Sequence, residues 1–498
     1  MPAIKKLIEM QEFGGCRQTV GLSIHVISEF AIHDANLLQA INEAYRIFNE
    51  LKSTDSDILK LDEVDQVAAI QLGIVNFYPG DLLNPYVALA ACGPWIVTSK
   101  GAVVHDSGGY GMLGFGHAPA EVIRAMSQNQ VMANVMTANF SQQRLIKALQ
   151  KEIGHTIGYC PFAGFLFLNS GSEAVSVGAR ISDINAWHAT DVGAVHVGKK
   201  IKRVALKGGF HGRTDRPAQY SDSTQPIYKK YLASFRDRDN LLTVEPNNRQ
   251  QLQQVFERAK VQGMFIESMF MEPVMGEGNP GQAIGREFYD LARELTRQHG
   301  SLLLVDSIQA GLRAHGCLSI VDYPGFEGIE APDMETWSKA LNAGQYPLSV
   351  LALTEKTSAL YRKGVYGNTM TTNPRALDVA CQVLSQMTEE IRQNIYSMGD
   401  ELVTKMKVLS EQLDGLITAV QGTGLLCSCE LHSDFKSYGL DSTEEYMRLH
   451  GIGVIHGGKN SLRFTPHFNV TSKEIDLIIA GIKQALLSGP RFLKPQVV

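Results

Sequence analysis

The sequence predicts an α/β fold: a large domain built on a mostly parallel sheet covered by helices, and a smaller α+β domain. Two observations lead to this prediction. From about residue 90 short apolar runs alternate with longer amphipathic stretches, and after about residue 372 this alternation stops. The chain has 498 residues, of which 44% are hydrophobic and 19% charged, so it is large enough to bury a sizeable core.

Four apolar runs are predicted strands of the large domain, at residues 165–168, 204–206, 264–266 and 302–305. A helix is expected from about Glu173, shortly after the first run. Strands that alternate with helices indicate a parallel sheet covered on both faces. Ligands of such sheets bind beyond the carboxyl ends of the strands. Gly171, Ser172 and Asp306 lie just past strand ends, so we expect the fold to bring them together.

Both ends of the chain are predicted to add further elements. Residues 1–75 are interpreted as an N-terminal helical extension, because Leu37, Ile41, Ala44 and Phe48 follow helical spacing. The large domain is then assigned to residues 76–370 and the small domain to 371–498. Within the small domain we expect one long helical stretch over 375–413, strands at 425–431 and 461–465, and a final helix after the capping residues 471–474.

Charge and cysteine content exclude several classes of protein. The formal net charge is -5, so no basic field favours nucleic acid or an anionic membrane. No apolar run reaches the length of a membrane span or of a secretory signal. The seven cysteines are odd in number and show no C-x-x-C spacing. We therefore expect reduced cysteines, a cytoplasmic location, and no nucleic-acid or membrane partner.

Two residues, Asp306 and Lys339, carry the strongest chemical signal. The apolar run 302–305 ends in Asp306, and Lys339 follows a second strand-like segment and precedes a loop that contains Gly344. An amine and a carboxylate delivered at strand ends suit pyridoxal 5′-phosphate (PLP). The amine forms a Schiff base with the cofactor aldehyde, and the carboxylate keeps the ring nitrogen protonated. Either residue taken singly has an ordinary structural interpretation, so the prediction depends on the pair.

Three other segments are compatible with the same cofactor. Gly171 and Ser172 stand between a strand and a helix, where free backbone N–H groups suit a phosphate, although an ordinary helix cap has the same pattern. Phe210, followed by His211, comes after the second strand and can stack on a flat ring or simply pack in the core. Arg463 lies in an apolar strand, and a buried guanidinium needs a carboxylate from the protein or from a substrate.

The order of these segments and their amino-acid sequences resemble those of the class III, fold-type I PLP-dependent aminotransferases, which include ornithine, lysine and 4-aminobutyrate aminotransferases. The resemblance runs from about residue 90 to the C-terminus. The segments that carry it, in chain order, read NSGSEA at 169–174, FHGRT at 210–214, MEPVMGEG at 271–278, DSIQAG at 306–311, SK at 338–339 and GNTMTTNP at 367–374. The resemblance implies a transaminase that moves an amino group from an amine or amino acid to a keto acid.

The resemblance also implies a role for each matching residue. In the cofactor site, Gly171 and Ser172 bind the phosphate, Phe210 stacks on the ring with His211 beside it, Asp306 pairs with the ring nitrogen, Ile308 packs on the other ring face, Gln309 approaches the ring hydroxyl, and Lys339 forms the Schiff base. Thr369 reaches the phosphate of a neighbouring subunit, which implies a homodimer with shared active sites. For the substrate, Glu277 pairs with an arginine at the position of Arg463, and Tyr110 faces the substrate.

Departures from the family pattern concern substrate scope. Ser307 and Ala310 stand where the family usually has glutamate and threonine, and the loop after Lys339 has fewer glycines than usual. Asp306 and Lys339 serve racemases, aminomutases and decarboxylases of this fold equally well. An inactive PLP-fold scaffold that binds a partner is a further alternative, which the retention of both residues disfavours.

Overall fold

The computed structural model describes residues 2–78 and 83–492. They form two compact units. The first comprises Met1–Ala120, Ser397–Gln421 and Cys427–Val498, and the second comprises Glu121–Tyr396 and Gly422–Leu426. The domain limits at 75 and 370 stay a prediction. Within the described ranges, no helix combines the length and the apolar character needed to cross a membrane.

Seventeen α-helices are seen in the described residues: α1 Pro2–Glu12, α2 Ile24–Ala31, α3 Ala35–Thr54, α4 Ser56–Leu59, α5 Glu63–Gln71, α6 Ala120–Met126, α7 Phe140–Glu152, α8 Gly171–Thr190, α9 Asp215–Ala218, α10 Gln225–Tyr231, α11 Arg249–Val261, α12 Arg286–His299, α13 Glu355–Leu360, α14 Pro374–Ser385, α15 Glu389–Gln412, α16 Thr443–Leu449 and α17 Ser472–Ser488.

Fifteen strands are seen in the same residues: β1 Ala88–Cys92, β2 Trp95–Thr98, β3 Val103–Asp106, β4 Gly164–Leu168, β5 Lys200–Leu206, β6 Leu241–Val244, β7 Met264–Met271, β8 Leu302–Asp306, β9 Met334–Trp337, β10 Ser349–Leu353, β11 Ile417–Thr423, β12 Leu426–Leu431, β13 Ile452–Gly453, β14 Ile455–Gly457 and β15 Ser461–Phe464.

The second unit is built on a seven-stranded sheet in the order β4-β10-β9-β8-β7-β5-β6. Neighbours from β9 to β6 pair in parallel, whereas β10 pairs antiparallel with both β9 and β4. The four strands predicted for the large domain are β4, β5, β7 and β8, so their prediction is confirmed. The carboxyl ends of every strand except β10 therefore lie at one edge of the sheet, and the segments that follow them meet there.

Helix α8 lies directly on this sheet. Its buried residues Ala174 and Val175 belong to one apolar cluster with Phe270 of β7 and Leu304 of β8. Gly178 allows the close approach, because a Cβ at this position would lie 2.5 Å from Leu304 Cδ1. The helix is consequently fixed against the strands that precede it and follow it in the chain, and its N-terminus is held at the carboxyl edge.

The first unit contains two four-stranded sheets, in the orders β1-β2-β3-β13 and β11-β12-β15-β14. Helix α3 confirms the helical spacing seen near the N-terminus, since Leu37, Ile41 and Phe48 are fully buried. Its N-cap Asp34 also accepts a hydrogen bond from Trp95 Nε1 of β2 at 2.5 Å. The N-terminal helices are thus integrated into this unit.

The C-terminal elements agree with the sequence prediction except at one point. Strands β12 and β15 occur as expected, and α17 begins with a capping box between Thr471 and Glu474. The single helical stretch predicted over 375–413 is wrong, because it is divided into α14 and α15. Thr388 Oγ1 accepts from Ile391 N at 3.4 Å, and Glu389 and Glu390 form the first turn, so a new helix start interrupts the stretch.

Candidate active site

Asp306 stands at the carboxyl end of β8 and is only 3% exposed. Its Oδ2 lies 2.8 Å from Nδ1 of His211, and its Oδ1 accepts from the backbone N–H of Ile308 at 3.2 Å. His211 is itself buried against Phe270, with an edge-to-face ring distance of 5.9 Å. The carboxylate is therefore oriented by two donors, one from the segment after β5 and one from the segment after β8 itself.

Lys339 follows β9 and opens a short 3-10 helix, Lys339–Asn342. In the parallel register of β8 and β9, Asp306 pairs with Thr336, three residues before the lysine. The half-buried side chain points back to the sheet edge, where Nζ donates to Oε1 of Gln309. Lys339 and Asp306 thus arrive at the same edge on neighbouring strands, as the sequence predicted.

The N-terminus of α8 forms a close-packed cradle at this edge. Ser170 caps the helix by accepting from Glu173 N at 3.3 Å, so Gly171 and Ser172 are its first two residues. A Cβ at Gly171 would lie 2.6 Å from Ile308 Cδ1, and one at Gly212 would lie 2.3 Å from Ser172 Oγ. The segments that carry Phe210, His211 and Ile308 therefore contact the helix start where it exposes free N–H groups.

Glu272, which the sequence analysis did not single out, organises the same edge. It follows β7, is 3% exposed, and accepts from the backbone N–H of Phe210 at 2.9 Å and of Gly276 at 2.8 Å. Burial raises the pKa of Glu272 to about 7, while the nearby His211 acts in the opposite direction and Asp306 adds to the rise. Its two backbone contacts hold the Phe210 and Gly276 segments together.

A second unpredicted residue, Glu173, holds the 366–369 loop to the cradle. Its Oε2 accepts from Asn169 N at 2.6 Å, and its Oε1 accepts from Asn368 Nδ2 at 2.8 Å and from the hydroxyl of Tyr366. The spacing Ser170-x-x-Glu173 is a capping-box pattern, which predicts that Glu173 reaches back to the start of the helix. The carboxylate accepts from Asn169 N, one residue before the N-cap Ser170. Thr369, at the end of this loop, is exposed, and its carbonyl accepts from Asn134 Nδ2 at 3.3 Å.

Residues 81–486 match the family described as Aminotransferase class-III. The chain belongs to the class-III aminotransferase family. Class-III aminotransferases use PLP to move amino groups, and this protein is a PLP-dependent transaminase. Membership of this family disfavours the racemase, aminomutase, decarboxylase and scaffold alternatives. The helices before residue 81 lie outside the matched range.

Solved structures agree with this fold. The ornithine aminotransferase of Toxoplasma gondii ME49 gives a TM-score of 0.72 at 21% identity, covering 88% of this chain and 98% of that one. A transaminase from the marine bacterium Virgibacillus gives 0.70 at 18% identity, with 85% and 98% covered. The acetylornithine aminotransferase of Elizabethkingia anophelis gives 0.65 at 20% identity, with 86% and 99% covered.

The residues at the sheet edge of this class-III aminotransferase fit PLP. Two buried nitrogens, His211 Nε2 and Gln309 Nε2, have no hydrogen-bond partner within the described part of the chain. Buried polar atoms normally have partners, so these two indicate polar groups of a ligand. The glycine-lined cradle suits the phosphate, and the aromatic Phe210 and apolar Ile308 suit the faces of a planar ring.

The residues predicted to contact substrate fall in both units. In the second unit, Glu277 lies 3.7 Å from Arg213, whose guanidinium also stands 5.4 Å from the ring centre of Phe210. This contact with Arg213 was not predicted, and the pairing of Glu277 with Arg463 stays a prediction.

In the first unit, Arg463 lies on β15 and is 5% exposed, and Tyr110 occupies a short 3-10 turn with a φ of 50°. Burial raises the pKa of Tyr110, and the charges of Arg448 and Arg463 act against the rise. Thr465 Oγ1 joins the two segments by accepting from Gly111 N at 3.2 Å and donating to Gly108 O at 2.5 Å. Thr465 therefore ties the turn that carries Tyr110 to the end of the strand that carries Arg463, and the substrate role of the two residues stays a prediction.

Proposed function

We propose that this transaminase transfers the amino group of an amine or amino acid to a keto acid, with Lys339 as the residue that binds the cofactor aldehyde. The observation that carries the proposal is the paired arrival of Lys339 and Asp306 at one sheet edge. Asp306 pairs in register with Thr336, which lies three residues before Lys339. The Nζ of Lys339 in turn donates to Gln309, which lies three residues after Asp306.

When bound, PLP supplies an electron-accepting ring that stabilises negative charge next to the reacting nitrogen. Asp306 then holds a proton on the ring nitrogen, and the hydrogen bond with His211 Nδ1 keeps the carboxylate in that orientation. Lys339 Nζ removes and returns the substrate proton. A positioned general acid-base group of this kind typically contributes about 10² to 10⁴-fold in rate.

Gly171 and Ser172 bind the phosphate at the N-terminus of α8. A helix of 20 residues carries a positive partial charge at this end, and the first N–H groups have no acceptor within the helix. Phe210 and Ile308 exclude water from the two ring faces, and Gln309 binds the ring hydroxyl. The close approach of Ile308 to Gly171 and of Ser172 to Gly212, which leaves no room for a Cβ at either glycine, supports this arrangement.

We also propose a homodimer in which Thr369 reaches the phosphate site of the partner subunit. An exposed apolar surface around the Thr369 loop supports this assembly, since each of its members is more than three-fifths exposed. They are Val131, Met132, Val135, Met136, Phe140 and Met370. A patch of this kind favours association with another protein surface. Asn134, inside the patch, contacts the Thr369 carbonyl directly.

For the substrate, we propose that Arg463 binds a carboxylate, with Tyr110 beside it and Glu277 as the residue that competes for the guanidinium. The buried position of Arg463 on β15 and its proximity to Tyr110 support this role. We further propose a cytoplasmic location, which is supported by seven cysteines that form no disulfide in the described ranges.

A panel of amino donors, tested against 2-oxoglutarate and pyruvate, examines the proposed reaction. Amine added without a keto acid should convert the cofactor to its amine form, as followed by its visible spectrum. Arg463→Ala should raise the KM for carboxylate-bearing donors by about tenfold to a hundredfold, the equivalent of one charge-assisted hydrogen bond. Arg17→Ala, an exposed arginine of the same unit, is the control. Equal KM values for Arg463→Ala and wild type would contradict the proposed anchor.

A further inference from the structure

A cluster of two histidines and a glutamate lies within the first unit, outside every segment assigned to the cofactor. His105 of β3 and His467, before α17, both direct Nε2 to Oε1 of Glu474, at 3.1 and 2.8 Å. His105 is fully buried and Glu474 is 4% exposed. Two imidazoles from distant parts of the chain therefore converge on one carboxylate oxygen.

The three side chains of this cluster lie close enough together to bind one ion, and a tetrahedral ion would have one further position for a ligand. The three potential ligand atoms lie within 4.8 Å of one another. A tetrahedral zinc ion with bonds of about 2.0 to 2.1 Å places its ligand atoms roughly 3.3 Å apart. The observed separations of 2.8 and 3.1 Å from Glu474 Oε1 need to widen only slightly to admit an ion.

The contacts behind the cluster orient its ligands. His105 Nδ1 lies 3.0 Å from Ser107 Oγ, so a proton on Nδ1 leaves the lone pair of Nε2 directed at the ion. Glu474 Oε2 accepts from the backbone N–H and the hydroxyl of Thr471, at 2.8 and 2.7 Å. This fixes Oε1 towards the histidines.

A cavity of about 750 Å³ reaches the cluster from the side of the N-terminal helices. His467, Thr471 and Glu474 line one wall, and Phe30, His33 and Asp34 line the opposite one. His467 is the more accessible of the two histidines, with a side chain 11% exposed. The cavity gives an ion a route of entry and gives water access to a fourth coordination position.

We propose that His105, His467 and Glu474 bind a divalent first-row transition-metal ion, with zinc as the probe. Two imidazoles and a carboxylate suit such ions, whereas magnesium and calcium prefer sites made of oxygen atoms. The ion connects β3 to the start of α17 and keeps one coordination position open to water. Its binding replaces two N–H···O contacts to Glu474 with coordination bonds.

Zinc binding to the untagged holoenzyme tests the proposal, measured by calorimetry and by metal content after desalting. Wild type should hold one zinc ion per chain, and His467→Ala should bind at least about tenfold more weakly, since even supporting residues of metal sites contribute that much. His33→Ala is the matched control, because His33 lines the same cavity outside the cluster. Circular dichroism and the cofactor spectrum report whether each variant is folded and loaded with cofactor.

Cobalt provides an independent readout, because its visible absorption bands change when imidazole and carboxylate ligands replace the water molecules around the free ion. The bands should form in wild type and in His33→Ala and be lost in His467→Ala. The proposal is overturned if wild type takes up no zinc beyond a buffer blank, or if folded His467→Ala binds zinc as tightly as wild type. Neither result bears on Lys339 or on transamination.

Discussion

Lys339 has a backbone φ of 39°, a left-handed conformation that residues with side chains seldom adopt. Such a conformation costs about 1 to 3 kcal/mol and persists only where the surroundings fix it. Here Ala340 and Leu341 are buried, and Ser338 Oγ and Asn342 Nδ2 donate to Leu348 O at 2.7 and 2.9 Å. The strained backbone therefore keeps Nζ directed at Gln309.

Replacing Lys339 with alanine should lower kcat by at least about 10² to 10⁴-fold, because the group that moves the substrate proton is removed. The cofactor absorption band that depends on the lysine should vanish, while the phosphate cradle still binds PLP. Steady-state assays and visible spectra of purified protein check both effects. Lys363→Ala, an exposed lysine of the same unit, should behave as wild type. Turnover by Lys339→Ala at the wild-type rate would refute the role.

Glu335 makes stability depend on pH. It is fully buried on β9, and burial raises its pKa from the usual 4.5 to about 7 against opposing hydrogen bonds from Ser307, Ser319 and the Ile320 N–H. The neutral form is thus favoured in the folded protein. The contribution of neutral Glu335 to the free energy of unfolding is complete below pH 4.5. It is lost as the pH rises through about 7, because the buried side chain must then ionise.

Glu335→Gln should therefore flatten this dependence. The amide oxygen of the substituted side chain can accept from Ser307 and from the Ile320 N–H, while its NH₂ group donates to Ser319, so the contacts persist without a titrating group. Between pH 5 and pH 8, wild type should lose about 2 kcal/mol of unfolding free energy relative to the variant. Urea unfolding at both pH values measures this difference. Glu257→Gln, on the surface of α11, should show the same loss of unfolding free energy as wild type. If wild type and Glu335→Gln lose equal amounts of unfolding free energy between pH 5 and pH 8, the account is refuted.

At the scale of elements, the cradle depends on the turn after β5 approaching the start of α8. Gly212 has a φ of 114°, and a Cβ there would lie 2.3 Å from Ser172 Oγ. Gly212→Ala should consequently shift the helix start and weaken PLP binding by about tenfold or more, at a cost of about 1 to 3 kcal/mol in backbone strain. Fluorescence titration of the cofactor-free protein with PLP measures this loss. Gly164→Ala on β4, where space is available, should retain the wild-type affinity.

Strands and caps were the elements most readily predicted from the sequence. The apolar runs of β4, β5, β7 and β8 were identified as strands because they alternate with longer amphipathic stretches, which is typical of a parallel sheet covered by helices. The break between α14 and α15 was missed, because the Thr388-Glu389-Glu390 start lies inside a continuous helical pattern. Strands β6 and β10 were also missed, since a run of four or five apolar residues does not distinguish a strand from a buried helix turn.

At the scale of the whole molecule, the site was predictable only in part. Asp306, Lys339, Gly171 and Ser172 follow strand ends, so the topology of a parallel sheet implies that they meet. The contact of Glu173 with Asn368 joins residues 195 positions apart and has no local signature. The ion pair between Glu277 and Arg213 could not be predicted either. Each of the two side chains has many oppositely charged residues along the chain with which it could pair.

The apolar surface near the Thr369 loop makes the oligomeric state testable. Met136 is the most exposed member of this surface, at 88%, and a charge placed there in a buried subunit interface would lack a partner. Met136→Glu should shift the protein from dimer to monomer and reduce activity, because Thr369 then no longer reaches the second phosphate site. Light scattering after size exclusion measures the mass. Val261→Glu, similarly exposed at the end of α11, should leave the mass unchanged.

The covalent attachment of PLP to Lys339 is the central claim, and chemical trapping tests it most directly. Borohydride reduction of the holoenzyme, followed by proteolysis and mass spectrometry, fixes the cofactor on the residue that holds it. The label should appear on the peptide that contains Lys339, in an amount close to one per chain. A label on any other lysine, or none on a protein that shows full transaminase activity, would contradict the account.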